Sequence, residues 1–178
     1  KNFKIKKIKS NKKVFNWSIP PEWNIYDAYV EDFFGNKIID FKKNNLHLVG
    51  FSVAINKFVT KKELLNHIHF IKELPNAIPY ITSYYKKYWG FCVSYKQYLN
   101  ILKTYKENDS FRVIIKSKHD YKGNLRFGEL ILKGKSKKEI LVSTYLCHPS
   151  MANNELSGPI VSMSLIDYFS KKKLEKSI

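Results

Sequence analysis

Residues 140 to 147, from Ile140 to Cys147, contain no charge and no helix-breaking residue. A strand that is apolar on both sides must be covered on both sides, as in the sheet of an α/β protein. The run delivers His148-Pro149, then a polar loop, Asn153, Asn154 and Glu155. Ser157-Gly158-Pro159 is then predicted to open a helix, with Ser157 as cap and Pro159 at the first helical position, where a missing N–H costs nothing. Val161, Leu165 and Phe169 repeat every four residues on one face of that helix. Strand, histidine, polar loop and helix is the layout of a site at the carboxyl edge of a buried sheet. A single helix covers only one face, so residues 121–178 read as a piece of a larger α/β sheet.

The preceding hundred residues read differently. Ile25 to Glu31 and Lys37 to Phe41 alternate around Phe34-Gly35-Asn36, which predicts a β-hairpin with Gly35 or Asn36 at positive φ. His47 to Ile55 reads as a strand. Thr60 and Glu63 have capping-box spacing. They predict a helix over about 61–74, stopped by Pro75, with Leu64, Leu65, Ile68 and Ile71 facing the core. Short strands follow at 78–83 and 89–93. Tyr95 to Tyr105 reads as a helix with Tyr98, Leu99 and Leu102 inward. Strands are expected at 111–116 and 125–132, around a turn at Lys122-Gly123-Asn124. Pro20-Pro21 within the aromatic stretch Trp17 to Trp23 forbids helix and sheet interior there.

Hydrophobic residues make up 44% of the 178 residues, which excludes global disorder. No apolar run approaches the ~18 residues of a membrane span, and no signal-peptide pattern opens the chain. Cys92 and Cys147 sit in apolar surroundings and are expected as two buried thiols, which suits a reducing cytoplasm. The net charge of +17 raises a nucleic-acid partner as one function class. The basic residues are nearly all lysine, with only Arg112 and Arg126 as arginine. Nucleic-acid readers draw on arginine for bidentate contacts, so that class ranks last.

His148 is the strongest candidate ligand, because neutral imidazole is a common zinc donor and Asn153, Asn154 and Glu155 offer oxygens close by. His67 and His69, two apart on the predicted helix, point to different faces and are expected to be exposed. His119 is expected in a turn, and His47 has no evident partner. Cys147 is a poor nucleophile candidate, because its neighbour His148 points to the other side of an extended strand. Tyr84, Tyr85, Tyr88 and Trp89, interleaved with Lys86 and Lys87, read first as packing of a β-rich module and second as a surface for stacking sugars or bases.

Several segments together carry a family resemblance: VFNWSIPPEWNI (14–25), KIIDF (37–41), AIPYITSYY (77–85), YWGFC (88–92), GELIL (128–132) and TYLCHPSMANNELSGP (144–159). With these the chain resembles the aminopeptidase-like proteins of bacterial surface-polysaccharide biosynthesis loci, relatives of the zinc exopeptidases. The resemblance implies an α+β chain: a fragment of a zinc-exopeptidase-like α/β sheet domain carrying an inserted β-rich domain. Residues 1–14 would be a lead-in strand of the peptidase-like domain, 15–118 the inserted domain, and 119–178 the first strands and helix of the peptidase-like domain, truncated. It also implies that this chain is an N-terminal fragment, with further metal ligands and a general base lying elsewhere in the longer proteins.

By the same resemblance, His148 matches the first zinc-binding histidine. The position of a metal-bridging aspartate is held by Asn154, and Ser150 stands where another aspartate is usual. An amide oxygen cannot neutralise two dications as a carboxylate does. The implied metal set is therefore His148, Asn154 and Glu155 around one zinc rather than two, with no catalytic side chain of its own. The implied function is a zinc metallohydrolase acting on a small peptide or an amide-bearing sugar, inactive as this fragment alone. The alternative is a catalytically inactive peptidase-like scaffold that binds carbohydrate or a partner protein. The unpaired apolar strands are expected to drive aggregation or homo-oligomer formation.

Overall fold

Alternating apolar residues along 22–31 and a nearly continuous apolar stretch at 111–115 build the main sheet. The computed structural model describes residues 3–147 and 150–178. In chain order the strands are β1 (Lys4–Lys9), β2 (Lys13–Val14), β3 (Trp17–Ser18), β4 (Glu22–Glu31), β5 (Lys37–Asp40), β6 (Ile55–Thr60), β7 (Ile68–His69), β8 (Phe91–Cys92), β9 (Ser110–Asp120) and β10 (Asn124–Glu129). The helices are α1 (Lys61–Leu65), α2 (Tyr95–Thr104) and α3 (Ala152–Ser170). The chain divides into a larger compact unit, Lys9–Leu125, and a smaller one, residues 3–8 with Arg126–Ile178. Helix and open sheet are mixed, as expected for the α+β class. No helix among the described residues is long and apolar enough to cross a membrane.

In the larger unit, four antiparallel strands lie in the order β5-β4-β9-β6. Ala28 and Val30, two apart on β4, point to one face and are fully buried. Phe111, Val113 and Ile115 on β9 join them, and Leu64, Phe91, Val93 and Ile101 close the core. The β4–β5 hairpin forms as the sequence predicts, with Gly35 at φ +82°. Its loop is held by Asp32, whose Oδ1 accepts from the backbone N–H of Phe34 (2.9 Å) and Asn36 (2.8 Å). The Tyr105 hydroxyl donates to Asp32 Oδ2 at 3.1 Å. Burial alone would raise the Asp32 pKa, but the hydrogen bonds from Asn36, Tyr105 and Phe34 hold it below the ordinary carboxylate value. Burial, and then that same bond, push Tyr105 up to about 12.

The helix expected over 61–74 is much shorter. Thr60 Oγ1 does accept from the Glu63 N–H at 3.3 Å, but the Glu63 carboxylate pairs with Lys57 instead of reaching back. α1 ends at Leu65 because the next residues pair with a distant strand. Ile68 and His69 run parallel beside Phe91 and Cys92. The His67 ring stacks on Trp89 at 3.7 Å between centroids, and its Nδ1 donates to the Trp89 carbonyl at 2.7 Å. Tertiary pairing here overrides local helix propensity. His67 and His69 are therefore part-buried rather than exposed on a helix, and both rings meet Tyr88.

Other expectations also shift. The strand foreseen over 47–55 is interrupted, since Phe51 adopts φ +64°; the regular strand is β6. His47 is buried and hydrogen-bonded to the Cys92 carbonyl at 2.8 Å. His119 lies within β9 rather than in a turn. On α2, Ile101 is buried, whereas Leu99 and Leu102 are exposed. Tyr98, Ile101 and Tyr105, spaced three and four apart, form the inward stripe against the core, and the Ser94–Gln97 capping box starts the helix.

In the smaller unit, β1 and β10 form a two-stranded sheet. The expected strand 139–147 joins no ladder, apart from an isolated bridge between Glu139 and Ser177. Leu141 is 89% exposed and Leu146 72%. A run apolar on both faces needs flanking strands, and the described residues supply none. α3 begins at Ala152, seven residues before Pro159, the predicted first helical position. The Glu155 N–H already closes a turn on the Met151 carbonyl at 2.9 Å, so Ser157 is no cap and Pro159 lies inside the helix. Both cysteines are free, but only Cys92 is buried; Cys147 is exposed, since its strand lacks the expected cover.

Candidate functional site

The extended chain at 144–147 lies against the first turns of α3, and three contacts tie them. A Cβ on Gly158 would come within 2.0 Å of Thr144 Oγ1, so only glycine admits this approach. The Tyr145 hydroxyl donates to Asn154 Oδ1 at 3.2 Å. The Cys147 backbone N–H donates to Glu155 Oε2 at 2.5 Å. Glu155 is 4% exposed, a rare environment for a carboxylate without compensating partners.

Of the three residues singled out by sequence, Asn154 and Glu155 thus come together on the first turn of α3. Both face the segment that ends immediately before His148. His148 itself lies outside the described residues. Asn153 shares the turn and is exposed. Among the described residues no group of three or more histidine, cysteine, aspartate or glutamate side chains is placed to hold a metal ion.

The donor chemistry of what is described is one buried carboxylate and one amide oxygen. Both are hard oxygen donors that zinc accepts, but two are fewer than the ~3 protein donors of a catalytic zinc site. Backbone and hydroxyl hydrogen bonds orient both side chains. Partial burial of the Cys147 thiol, and then the Glu155 carboxylate beside it, raise the Cys147 pKa. A raised pKa lowers the thiolate fraction and so weakens a cysteine as nucleophile or metal ligand. The Tyr145–Asn154 bond and the Cys147 amide carried no sequence signal, because both depend on a chain reversal rather than on spacing.

Comparison with known proteins adds three findings. The family model described as "Domain of unknown function (DUF2172)" matches residues 22–118, which lie wholly inside the larger unit. A curated protein of Clostridium acetobutylicum named "Putative polysaccharide biosynthesis protein with aminopeptidase-like domain" is 42% identical over 173 residues, 97% of this chain and 38% of its own length. A crystal structure described as a "putative peptidase" from Clostridium acetobutylicum superposes with a TM-score of 0.87 at 41% identity, over 99% of this chain and 40% of that one. The chain therefore spans well under half the length of the relatives it matches.

Proposed function

The chain belongs to the family of the domain of unknown function DUF2172, and on that premise we propose that it is part of an aminopeptidase-like zinc metallohydrolase tied to surface-polysaccharide biosynthesis. The likeness to an aminopeptidase-like protein and to a peptidase structure supports the reading. The observation that carries it is the buried Glu155, anchored on the amide that precedes His148. His148, Glu155 and Asn154 would hold one zinc, with further donors from the length of the relatives that this chain does not span. The smaller unit then holds the first strands and helix of a zinc-exopeptidase-like α/β domain, and the larger unit is a β-rich domain inserted into it. The substrate is a small peptide or an amide on a modified sugar.

When bound, zinc supplies Lewis-acid activation of water for hydrolysis near neutral pH. This chain's own residues set the ligand geometry. The Cys147 N–H fixes one carboxylate oxygen of Glu155, and Tyr145 fixes the Asn154 amide. Elemental analysis of the full-length protein tests the proposal. About one zinc per chain is expected, lost in His148→Ala and reduced in Glu155→Gln. A metal-free wild type, or zinc unchanged in His148→Ala, removes it.

One observation favours a second reading, an inactive peptidase-like scaffold that binds carbohydrate or a partner protein. Asn154 and Ser150 stand where carboxylates are implied, and Asn154 is engaged by Tyr145. Chelator-sensitive hydrolysis of aminoacyl or N-acyl-sugar substrates by the full-length protein decides between the two.

A further inference from the structure

Two aromatic residues of the larger unit hold backbone conformations that aromatic side chains seldom adopt. Phe51 has φ +64° and Tyr84 φ +33°, and bulky side chains are strained in that left-handed region. Their rings meet at 4.7 Å between centroids. The strain is imposed by a dense set of bonds on residues 50–52. Trp23 Nε1 and Ser117 Oγ both donate to the Ser52 carbonyl, at 3.0 and 2.8 Å. The Gly50 N–H donates to Ile81, and the Ser83 N–H returns to Gly50. His119 Nε2 donates to the Phe51 carbonyl at 3.2 Å. Trp23 also stacks on Phe51. Backbone strain over-determined in this way is a mark of functional positioning.

The strained turn does not end in the core. Tyr84 is 38% exposed, Tyr85 62% and Tyr121 58%. Together with His119, Lys86, Lys87, Pro20 and Pro21 they line a cleft of about 230 Å³. The Tyr85 hydroxyl donates to the Ser18 carbonyl at 2.6 Å, which fixes that wall. None of the described lining residues is acidic. The cleft falls below the ~300–1,000 Å³ of drug-sized pockets, so it suits a single small ring.

Tyrosine and proline side chains suit the C–H face of a pyranose, the Tyr121 hydroxyl can bond its hydroxyls, and the two lysines that line the cleft match a carboxylate. A nucleic-acid strand needs a basic groove that tracks several phosphates beside its stacking platforms, and here the cations number two within one short cleft. We propose that this cleft is a binding site for an acidic sugar residue of the uronate type. The site lies in the larger unit and stands independently of any metal in the smaller one.

Calorimetric titration of the protein with trigalacturonate tests it, with a neutral trisaccharide and an octathymidylate as competing probes. Saturable binding of trigalacturonate is expected, at least tenfold tighter than either alternative. Tyr121→Ala and the double variant Lys86→Ala/Lys87→Ala should each weaken it at least tenfold at an unchanged melting temperature. Tyr26→Ala, an exposed tyrosine outside the cleft, should leave it unchanged. Absence of saturable uronate binding, equal or tighter binding of the neutral sugar or the oligonucleotide, or affinity untouched in both cleft variants, overturns the proposal.

Discussion

Residues 111–115 and 140–146 are comparably apolar, yet one segment is the centre of a core and the other faces solvent. Phe111 and Val113 are fully buried, because β9 is flanked by β4 and β6 and covered by Leu64, Phe91 and Ile101. Leu141 and Leu146 have no flanking strand among the described residues. α3 shows the same imbalance. Leu165, Ile166 and Phe169 line a cavity of about 520 Å³ with Leu132 and Ile140, while Leu156, Ile160 and Met163 on another side are exposed. A helix apolar around its circumference is normally buried around its circumference. Apolar composition therefore marks a segment for burial, but only neighbours accomplish it. The smaller unit thus exposes apolar side chains both on 141–146 and along one side of α3.

That contrast can be broken most directly by hydrogen exchange. Amides of β4 and β9 should be protected at least a hundredfold over those of 141–146, and equal protection would show that the apolar run finds cover. Core truncation comes next. Phe111→Ala should cost about 3–5 kcal/mol in denaturant unfolding, as for a large buried aromatic, whereas Leu146→Ala should change stability by less than about 0.5 kcal/mol. If Leu141→Lys and Met163→Lys leave light-scattering mass unchanged in a self-associating wild type, the exposed surfaces are not what joins the copies.

Polar contacts sharpen the picture of the larger unit on a smaller scale. Lys61 is buried and donates to the Leu102 and Tyr105 carbonyls at 2.8 and 2.5 Å, closing the end of α2. Lys61→Met should cost about 1.5–3 kcal/mol, the range for a charged hydrogen bond. The smallest effect concerns pH. The Asp32 pKa is depressed on folding, so its contribution is present above the unfolded carboxylate value and is lost as pH falls through the folded one. The Tyr105 pKa is raised to about 12, so its contribution is present below the ordinary tyrosine value of 10.0 and is lost as pH rises from there towards 12. Asp32→Asn should flatten the acid limb of the stability profile; an unchanged slope would remove the assignment.

Much of the larger unit was legible because its signals are local. Gly35 closes a hairpin within five residues, and Thr60 caps a helix within three. The candidate site was legible as a set of residue types, His148, Asn154 and Glu155, while the bonds that orient two of them were not. The spacing of Leu99 and Leu102 suggested an inward face, whereas the helix packs through Tyr98, Ile101 and Tyr105. Phe51 and Tyr84 gave no hint of left-handed backbones, since nothing in an aromatic side chain favours one.

By itself, then, the order of residues determined the hairpin turn at Gly35, the cap at Thr60 and which stretches seek burial, because those preferences are decided by neighbours within a turn or two of chain. Tertiary structure alone decided that α1 stops at Leu65 to let Ile68–His69 join Phe91–Cys92, that residues 50–52 are clamped into a strained turn, and that α3 begins early against Cys147. Each outcome rests on hydrogen bonds between residues far apart in sequence or across a chain reversal. Where those bonds form, they outweigh the tenths of a kcal/mol per residue by which local propensities differ.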